Sequence, residues 1–405
     1  MAILIDLGAF TKPAQGEARF AAALQQAKER GATAHPVLNW METAGINKPT
    51  LAFDMNVIRE RMRWLASLAN SFSVTPLLAV KSCTDSAFLQ MANNCLGGFD
   101  VSNSTEYSAL PVDLQGRLVS VTSPAVIENQ DSYRSKGNDL IITLDSQLQL
   151  DQHLSQPQPC DYMLRIQGSS LLKDATPADP AYYPVTRFGF SVDEAARLLK
   201  APWMKNNLPV GFQVHHGSEA NQPSTYKTII CGLAKLAGLL ASPPRFINLG
   251  GGWHCLNQQK FSDILGDARK LFPEPCSILL EPGRWYAQNA GFAVGRIVNI
   301  SRAGEVVRCT LDLSAKSHLR WSHPKLLHRF EPDHDKKCVV QFYGPSCYES
   351  DLIGKYYLPY STDALKDSGL AYGKKIAFSN VSTYSGEWNT SFNGVPLAEV
   401  AWIGG

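Results

Sequence analysis

From about residue 49 the chain repeats one unit: a short apolar run, then a longer stretch whose apolar positions return with helical spacing. The runs are Leu51-Ala-Phe53, Leu77 to Val80, Gly98 to Val101, Leu118 to Val121, Leu140 to Leu144, Tyr162 to Ile166, Val210 to Val214, Phe246 to Leu249 and Ile278 to Leu280. Between them, Met55 to Ala69, Ser191 to Leu199 and Ser224 to Ala241 read as helices, and Ser191 and Glu194 have the spacing of a capping box. Strand and helix alternating this often predict an α/β fold, a (β/α)8 TIM-type barrel rather than an open sheet. After residue 290 helical spacing fades. Arg296 to Ile300, Val306 to Leu311, Val339 to Tyr343 and Lys375 to Phe378 are strand-like runs with turn residues between them, so a C-terminal all-β domain is expected. Residues 1–48, with one helical pattern at Glu17 to Arg30, read as an accessory segment; 49–289 form the barrel and 290–405 the β domain.

Composition narrows the class of function. With 44% apolar and 18% charged residues the chain is globular, and a formal charge of +2 without a dense basic run gives no reason to expect nucleic acid or a membrane surface as partner. The 9 cysteines contain no Cys-x-x-Cys pair, which points to a reducing compartment. The start MAILIDLGAF is not a secretion signal and no apolar stretch is long enough for a bilayer, so a cytoplasmic, small-molecule enzyme is the expectation.

Barrels of this kind do chemistry where strands end. Lys81, Asp100, Arg165, His215, Gly250 to Gly252 and Glu281 all fall at or just past the ends of predicted strands. An apolar strand ending on Lys81 predicts a desolvated amine able to condense with an aldehyde cofactor; the plainer reading is a lysine reaching into water. The glycines of Asn248-Leu-Gly-Gly-Gly-Trp253 let backbone N–H groups approach an anion, or simply fit a tight corner. Glu281-Pro-Gly-Arg284 sets a carboxylate and a guanidinium about one turn, either as a salt bridge or to serve a pyridine nitrogen and a phosphate. His215 is either a hydrogen-bonded core residue or a platform for an aromatic ring. His318, His323, His328 and His334 are irregularly spaced, so no metal site is expected. Cys347 has no neighbour in sequence that would activate it.

Taken in order, the motifs AVKS (79 to 82), GFDVSN (98 to 103), RFGF (187 to 190), VHHGS (214 to 218), LGGGW (249 to 253), EPGR (281 to 284), GPSCYESD (344 to 351) and TYSGEWNTSFNG (383 to 394) resemble the fold-type III, alanine-racemase-like decarboxylases. That group contains the ornithine/arginine, diaminopimelate and carboxynorspermidine decarboxylases, and the likeness runs from about Pro49 to Val400. It implies pyridoxal 5'-phosphate as cofactor, linked covalently to Lys81, with His215 stacked on its ring and Glu281 on its ring nitrogen. It also implies that Ser218, Gly250, Gly251, Gly252, Gly283, Arg284 and Tyr384 hold the phosphate side, with Asp100 and Arg165 supporting ring and lysine. Cys347 would return a proton to the carbon that loses carbon dioxide, acting from the second subunit of a homodimer with shared active sites.

Where the chain departs from the pattern, the departure concerns substrate. Tyr348 stands where ornithine and diaminopimelate enzymes carry an acid after the cysteine, and Lys316 and Arg320 lie in a stretch closest to the carboxynorspermidine branch. With Asp312 and Asp351 these are the expected substrate-side residues. Cations there favour a distal carboxylate, and the expected substrate is an amino acid with a bulky or carboxylated distal group, a carboxynorspermidine-like precursor or a citrate-linked diamino acid of siderophore biosynthesis; solvated surface charges are the other reading of Lys316 and Arg320. The alternatives for the whole chain are a simple basic amino acid or diaminopimelate decarboxylase, a racemase, and a regulatory homologue without catalysis. Cys347 argues against racemisation, and Lys81 with the glycine turn argues against the regulatory reading.

Overall fold

A computed structural model describes residues 3–30, 35–156, 160–172, 186–217, 222–330, 338–358 and 370–404. Two strands come first, β1 (Ile3–Gly8) and β2 (Thr50–Asp54). Then follow β3 (Val74–Ala79), β4 (Gly98–Val101), β5 (Leu118–Thr122), β6 (Asp139–Leu144), β7 (Tyr162–Gln167), β8 (Gly211–His215), β9 (Phe246–Asn248) and β10 (Ser277–Leu280). The last group is β11 (Gly291–Ala303), β12 (Val306–Leu311), β13 (Lys325–Phe330), β14 (Cys338–Tyr343), β15 (Leu352–Leu358), β16 (Lys375–Ser379) and β17 (Glu399–Ile403). The chain forms two compact units, residues 59–286 and residues 1–58 with 287–405.

In the first unit β3 to β10 close into a parallel barrel, β10 pairing with β3. Side chains alternate along a strand, so residues two apart share a face. Ile141, Met163 and Leu279 form one buried cluster. Two residues further along their strands stand Thr143, Arg165 and Glu281, all buried. Leu118 packs against the same cluster, and Ser120 follows it by two. The barrel interior therefore passes from an apolar floor to a polar belt in one step of the pleat, and cross-strand register extends that belt through Arg165, Gln213 and Asn248 on β7, β8 and β9. Near the start of β3, Arg269 closes the floor: its guanidinium donates to the carbonyls of Phe72 (2.7 and 2.9 Å), Phe272 (2.6 Å), Cys276 (2.7 Å) and Ser73 (3.0 Å). The helix Val192–Lys200 carries the anticipated capping box of Ser191 and Glu194.

The run Leu51-Ala-Phe53 does not join the barrel. It is the middle of β2, which pairs antiparallel with β11 and parallel with β17. Thr50 to Phe53 are buried without alternation, so both faces of the strand are covered and it carries the same apolar run as a barrel strand. The second unit holds a sheet in the order β1-β13-β16-β11-β12-β14-β15, with β2 paired to β11 and β17 to β2. Its core gathers Val37 and Leu38 of the helix Pro36–Thr43 with Ala52, Phe292, Val294, Leu327 and Ala377. The N-terminal strand is part of this sheet through six residue pairs with β13, from Ile3 opposite Phe330 to Gly8 opposite Lys325.

Candidate active site

Just past β3 the chain makes a single 3-10 turn, Val80–Ser82, closed by the Ser82 hydroxyl donating to the Ala79 carbonyl (2.7 Å). Val80 and Ser82 take the buried positions of the turn and Lys81 is left exposed. The desolvation expected from the apolar run is therefore absent at Lys81: the run ends before it, and the turn rather than the strand sets its direction. Its ammonium still acts on the two groups that flank the mouth, opposing the upward shift of Asp100 and adding to the downward shift of His215.

Asp100 and Glu281 are a buried pair of carboxyls. Burial pushes Asp100 well above the usual carboxylate range and the Glu281 charge adds to this, against the opposing pull of Lys81 and the Thr122 hydroxyl. Glu281 is held by Asn248 Nδ2 on Oε1 (2.5 Å) and by Gln213 Nε2 on Oε2 (3.3 Å). Two neutral amides thus orient a carboxylate that points into the barrel mouth, as a protonated pyridine nitrogen requires.

His215 ends β8 beside the glycine turn. Burial drives its pKa well below the ordinary histidine value, and the positive charges of Lys81, Arg165 and His216 add to the shift. Its Nδ1 accepts the Gly251 N–H (3.1 Å), so the neutral ring carries its proton on Nε2. The turn has no room for side chains: a Cβ on Gly250 would lie 2.4 Å from the Val214 carbonyl, and one on Gly251 2.9 Å from the Glu281 carbonyl. Gly250 also has φ +65°, where glycine is favoured. The Gly250 N–H goes to Asn248 Oδ1 (2.9 Å) and the Gly251 N–H to His215. Two of the three amides expected to face an anion are thus occupied by the protein, which leaves the Gly252 N–H for that purpose. Arg284 opens the short helix Arg284–Ala287, directly after the buried Gly283. Ser218 lies outside the described residues.

Arg165 pairs with Asp145 (3.4 Å) and lies over the Phe188 ring (4.5 Å to the centroid), while Arg187 covers the same ring at 4.1 Å. Asp145 is pushed up by burial and pulled down by Arg165 and Arg187. Asp145, Gln213, Asn248 and Phe188 were not anticipated. The first three sit two or four residues past an inward-facing position of their strands, and that count would have found them.

The remaining candidates belong to loops of the second unit. Cys347 is exposed, with its N–H on Asn393 Oδ1 (2.8 Å). Tyr348 packs edge-on to Phe392 (6.2 Å), and Lys316 lies over the Tyr348 ring at 5.7 Å. Arg320 covers Trp388 at 4.9 Å. Tyr384 begins the short helix Tyr384–Glu387. The two acids expected on the substrate side are engaged within the protein instead. Asp312 receives Arg296 Nε (2.9 Å) and N–H (2.7 Å), and Asp351 is buried among serine hydroxyls and backbone amides. Of the four histidines considered for a metal, His318 is hydrogen-bonded through both ring nitrogens, and His334 lies outside the described residues.

A barrel mouth with a lysine, a carboxylate held by amides, a neutral imidazole and a glycine turn suits an aromatic aldehyde carrying a phosphate, the cofactor of fold-type III pyridoxal phosphate enzymes. Comparison with known proteins gives the class a family. Residues 55–288 match the family described as pyridoxal-dependent decarboxylase, pyridoxal binding domain, and the chain belongs to that family. It is 22% identical to an ornithine decarboxylase of Caenorhabditis elegans over 374 residues, 84% of each chain. Among solved structures it is similar to the arginine decarboxylase of Paramecium bursaria Chlorella virus bound to agmatine (TM-score 0.74, 22% identity, 91% of this chain and 99% of that one). It is also similar to the carboxynorspermidine decarboxylase of Campylobacter jejuni complexed with norspermidine (TM-score 0.67, 19% identity, 88% and 94%). The protein is a pyridoxal phosphate-dependent amino-acid decarboxylase. Among the described residues no helix is long and apolar enough to cross a membrane.

Proposed function

We propose that this decarboxylase removes the α-carboxylate of an amino acid whose distal end is bulky or carboxylated, and favour the carboxylated form. The observation that carries the reading is the fate of charge in the second unit. Lys316 and Arg320 are exposed, lie over Tyr348 and Trp388, and have no ion pair among the described residues. The two acids expected on the substrate side, Asp312 and Asp351, are engaged by Arg296 and by Ser314 and Ser346, while Glu349 beside Tyr348 is exposed. A distal ammonium beside Lys316 or Arg320 would meet like charge. A carboxylate would find a charge-assisted partner in either cation.

In this reading Lys81 links the cofactor and His215 supports its ring face. Glu281 holds the proton on the ring nitrogen, and Gly252, Gly283, Arg284, Ser218 and Tyr384 take the phosphate side. The cofactor supplies an electron sink for the carbon that loses carbon dioxide. Asp100 and Arg165 support Lys81 and the ring through the charge network of the mouth. Cys347 returns a proton to that carbon as general acid, and its thiol sits on a different unit from Lys81. The chains act as a homodimer in the cytoplasm, the Cys347 loop of one copy serving the Lys81 mouth of the other.

The test is carbon dioxide release from purified protein with pyridoxal phosphate, across ornithine, lysine, diaminopimelate, carboxynorspermidine and citryl-diamino acids. Release confined to members with an anionic distal group supports the reading. Preference for ornithine or lysine overturns it in favour of a simple basic amino acid decarboxylase.

A further inference from the structure

Asp351 closes the motif that carries Cys347, and its carboxylate is 1% exposed. Every donor it meets is neutral: the Ser314 hydroxyl (2.9 and 3.0 Å), the Ser346 hydroxyl (2.6 Å), and the N–H groups of Lys316 (3.2 Å) and Ser346 (3.4 Å). These donors come from two loops, one carrying Lys316 and Arg320 and the other Cys347 and Tyr348. The backbone of Asp351 closes the second loop on itself, its N–H on the Tyr348 carbonyl (2.9 Å) and its carbonyl under the Gly344 N–H (2.7 Å). Gly344 is the residue that leaves space for the carboxylate: a Cβ there would stand 2.2 Å from Asp351 Oδ2.

The network continues into a third loop. Ser314 gives its backbone N–H to His318 Nδ1 (3.0 Å), and His318 Nε2 donates to the Pro396 carbonyl (2.9 Å). Burial holds His318 toward its neutral form, the form that can accept at one nitrogen and donate from the other. The same loop carries Asn393, whose side-chain oxygen receives the Cys347 N–H. The path from Asp351 through Ser314, His318 and the 393–396 loop thus returns to Cys347, three hydrogen-bonded loops around one buried charge.

We infer that Asp351 is a positioning residue: its carboxylate sets the place of the Cys347 thiol and of Lys316 over Tyr348, and does not touch substrate. This rests on the roles proposed above for Cys347 and Lys316, and it is tested without any substrate. Asp351→Asn puts an amide N–H₂ among groups that are already donors, and Gly344→Ala displaces the carboxylate without removing its charge. In a Cys255→Ser background, which removes the other exposed cysteine, Cys347 is alkylated with iodoacetamide and its rate followed over pH. Both variants are expected to raise the Cys347 rate about tenfold, as the loss of one buried hydrogen bond permits. The visible band of the lysine-linked cofactor, which reports the barrel, should stay unchanged. If Asp351→Asn does not fold, Ser346→Ala, which keeps the charge and removes one donor, takes its place with a smaller rise expected. An unchanged alkylation rate in the folded variants overturns the inference, whichever substrate the enzyme proves to use.

Discussion

The two units build function by different means. In the barrel, each inward-facing residue of the polar belt is placed by a strand, and its height follows from counting by two along the pleat. In the β unit, Cys347, Tyr348, Lys316 and Arg320 sit on loops, and one buried carboxylate ties the loop of Lys316 to that of Cys347 through Ser314, Ser346 and the Lys316 N–H. The barrel mouth is fixed by backbone pairing. The loop face is fixed by side chains, so single substitutions should disturb it far more selectively.

The largest expected effect lies in the barrel. Lys81→Ala should abolish the visible absorption of the lysine-linked cofactor outright; a spectrum like that of the unmodified protein would remove Lys81 from its role. Next in size is Cys347→Ala, which should leave that absorption intact and slow turnover by roughly a hundredfold or more, the usual contribution of a general acid. Steady-state kinetics on an accepted substrate decide it, and unaltered kcat would exclude the thiol. Arg320→Ala, on the loop face, should raise KM for an anionic-tailed substrate about tenfold with little change in kcat, because it removes binding shared by ground and transition states.

The smallest contrast is one of pH and stability. His328, on β13, is driven by burial down to about 4. A histidine depressed in the folded state favours folding above its unfolded value near 6.5, and that contribution is lost as pH falls toward the folded value. The β unit should therefore lose up to about 3 kcal/mol between roughly pH 6.5 and 4. His328→Gln should flatten that slope in denaturant titrations read from the β unit, and an unchanged slope would locate the acid sensitivity elsewhere. Asp100, raised rather than lowered, works with the opposite sign: its contribution is present at low pH and lost as pH rises through its folded value.

How far the sequence could be read follows the same division. Barrel strands were visible because short apolar runs recur between helices, and Asp100, Arg165 and Glu281 because polar residues stood at the ends of those runs. The belt residues Gln213 and Asn248 were hidden inside the runs, where a polar residue reads as noise unless inward positions are counted. Lys81 was found by its motif, yet its exposure depends on a three-residue turn with no distinct pattern. In the β unit, β13 is interrupted by His328 and Arg329, and β1 finds its partner more than 300 residues away, so neither has a local signature. Asp351 was recognised as belonging to the cysteine motif, but its burial comes from Ser314, on another loop, and from the space at Gly344. Contacts between distant segments leave no periodicity to read.

The most direct measurement is kcat/KM for carbon dioxide release from two amino acids of matched length, 2-aminoadipate with a distal carboxylate and lysine with a distal amine in its place. Preference for the carboxylate, diminished by Arg320→Ala, is the predicted result. Preference for the amine, unaffected by that substitution, would contradict the assignment of the cationic loop face to an anionic substrate.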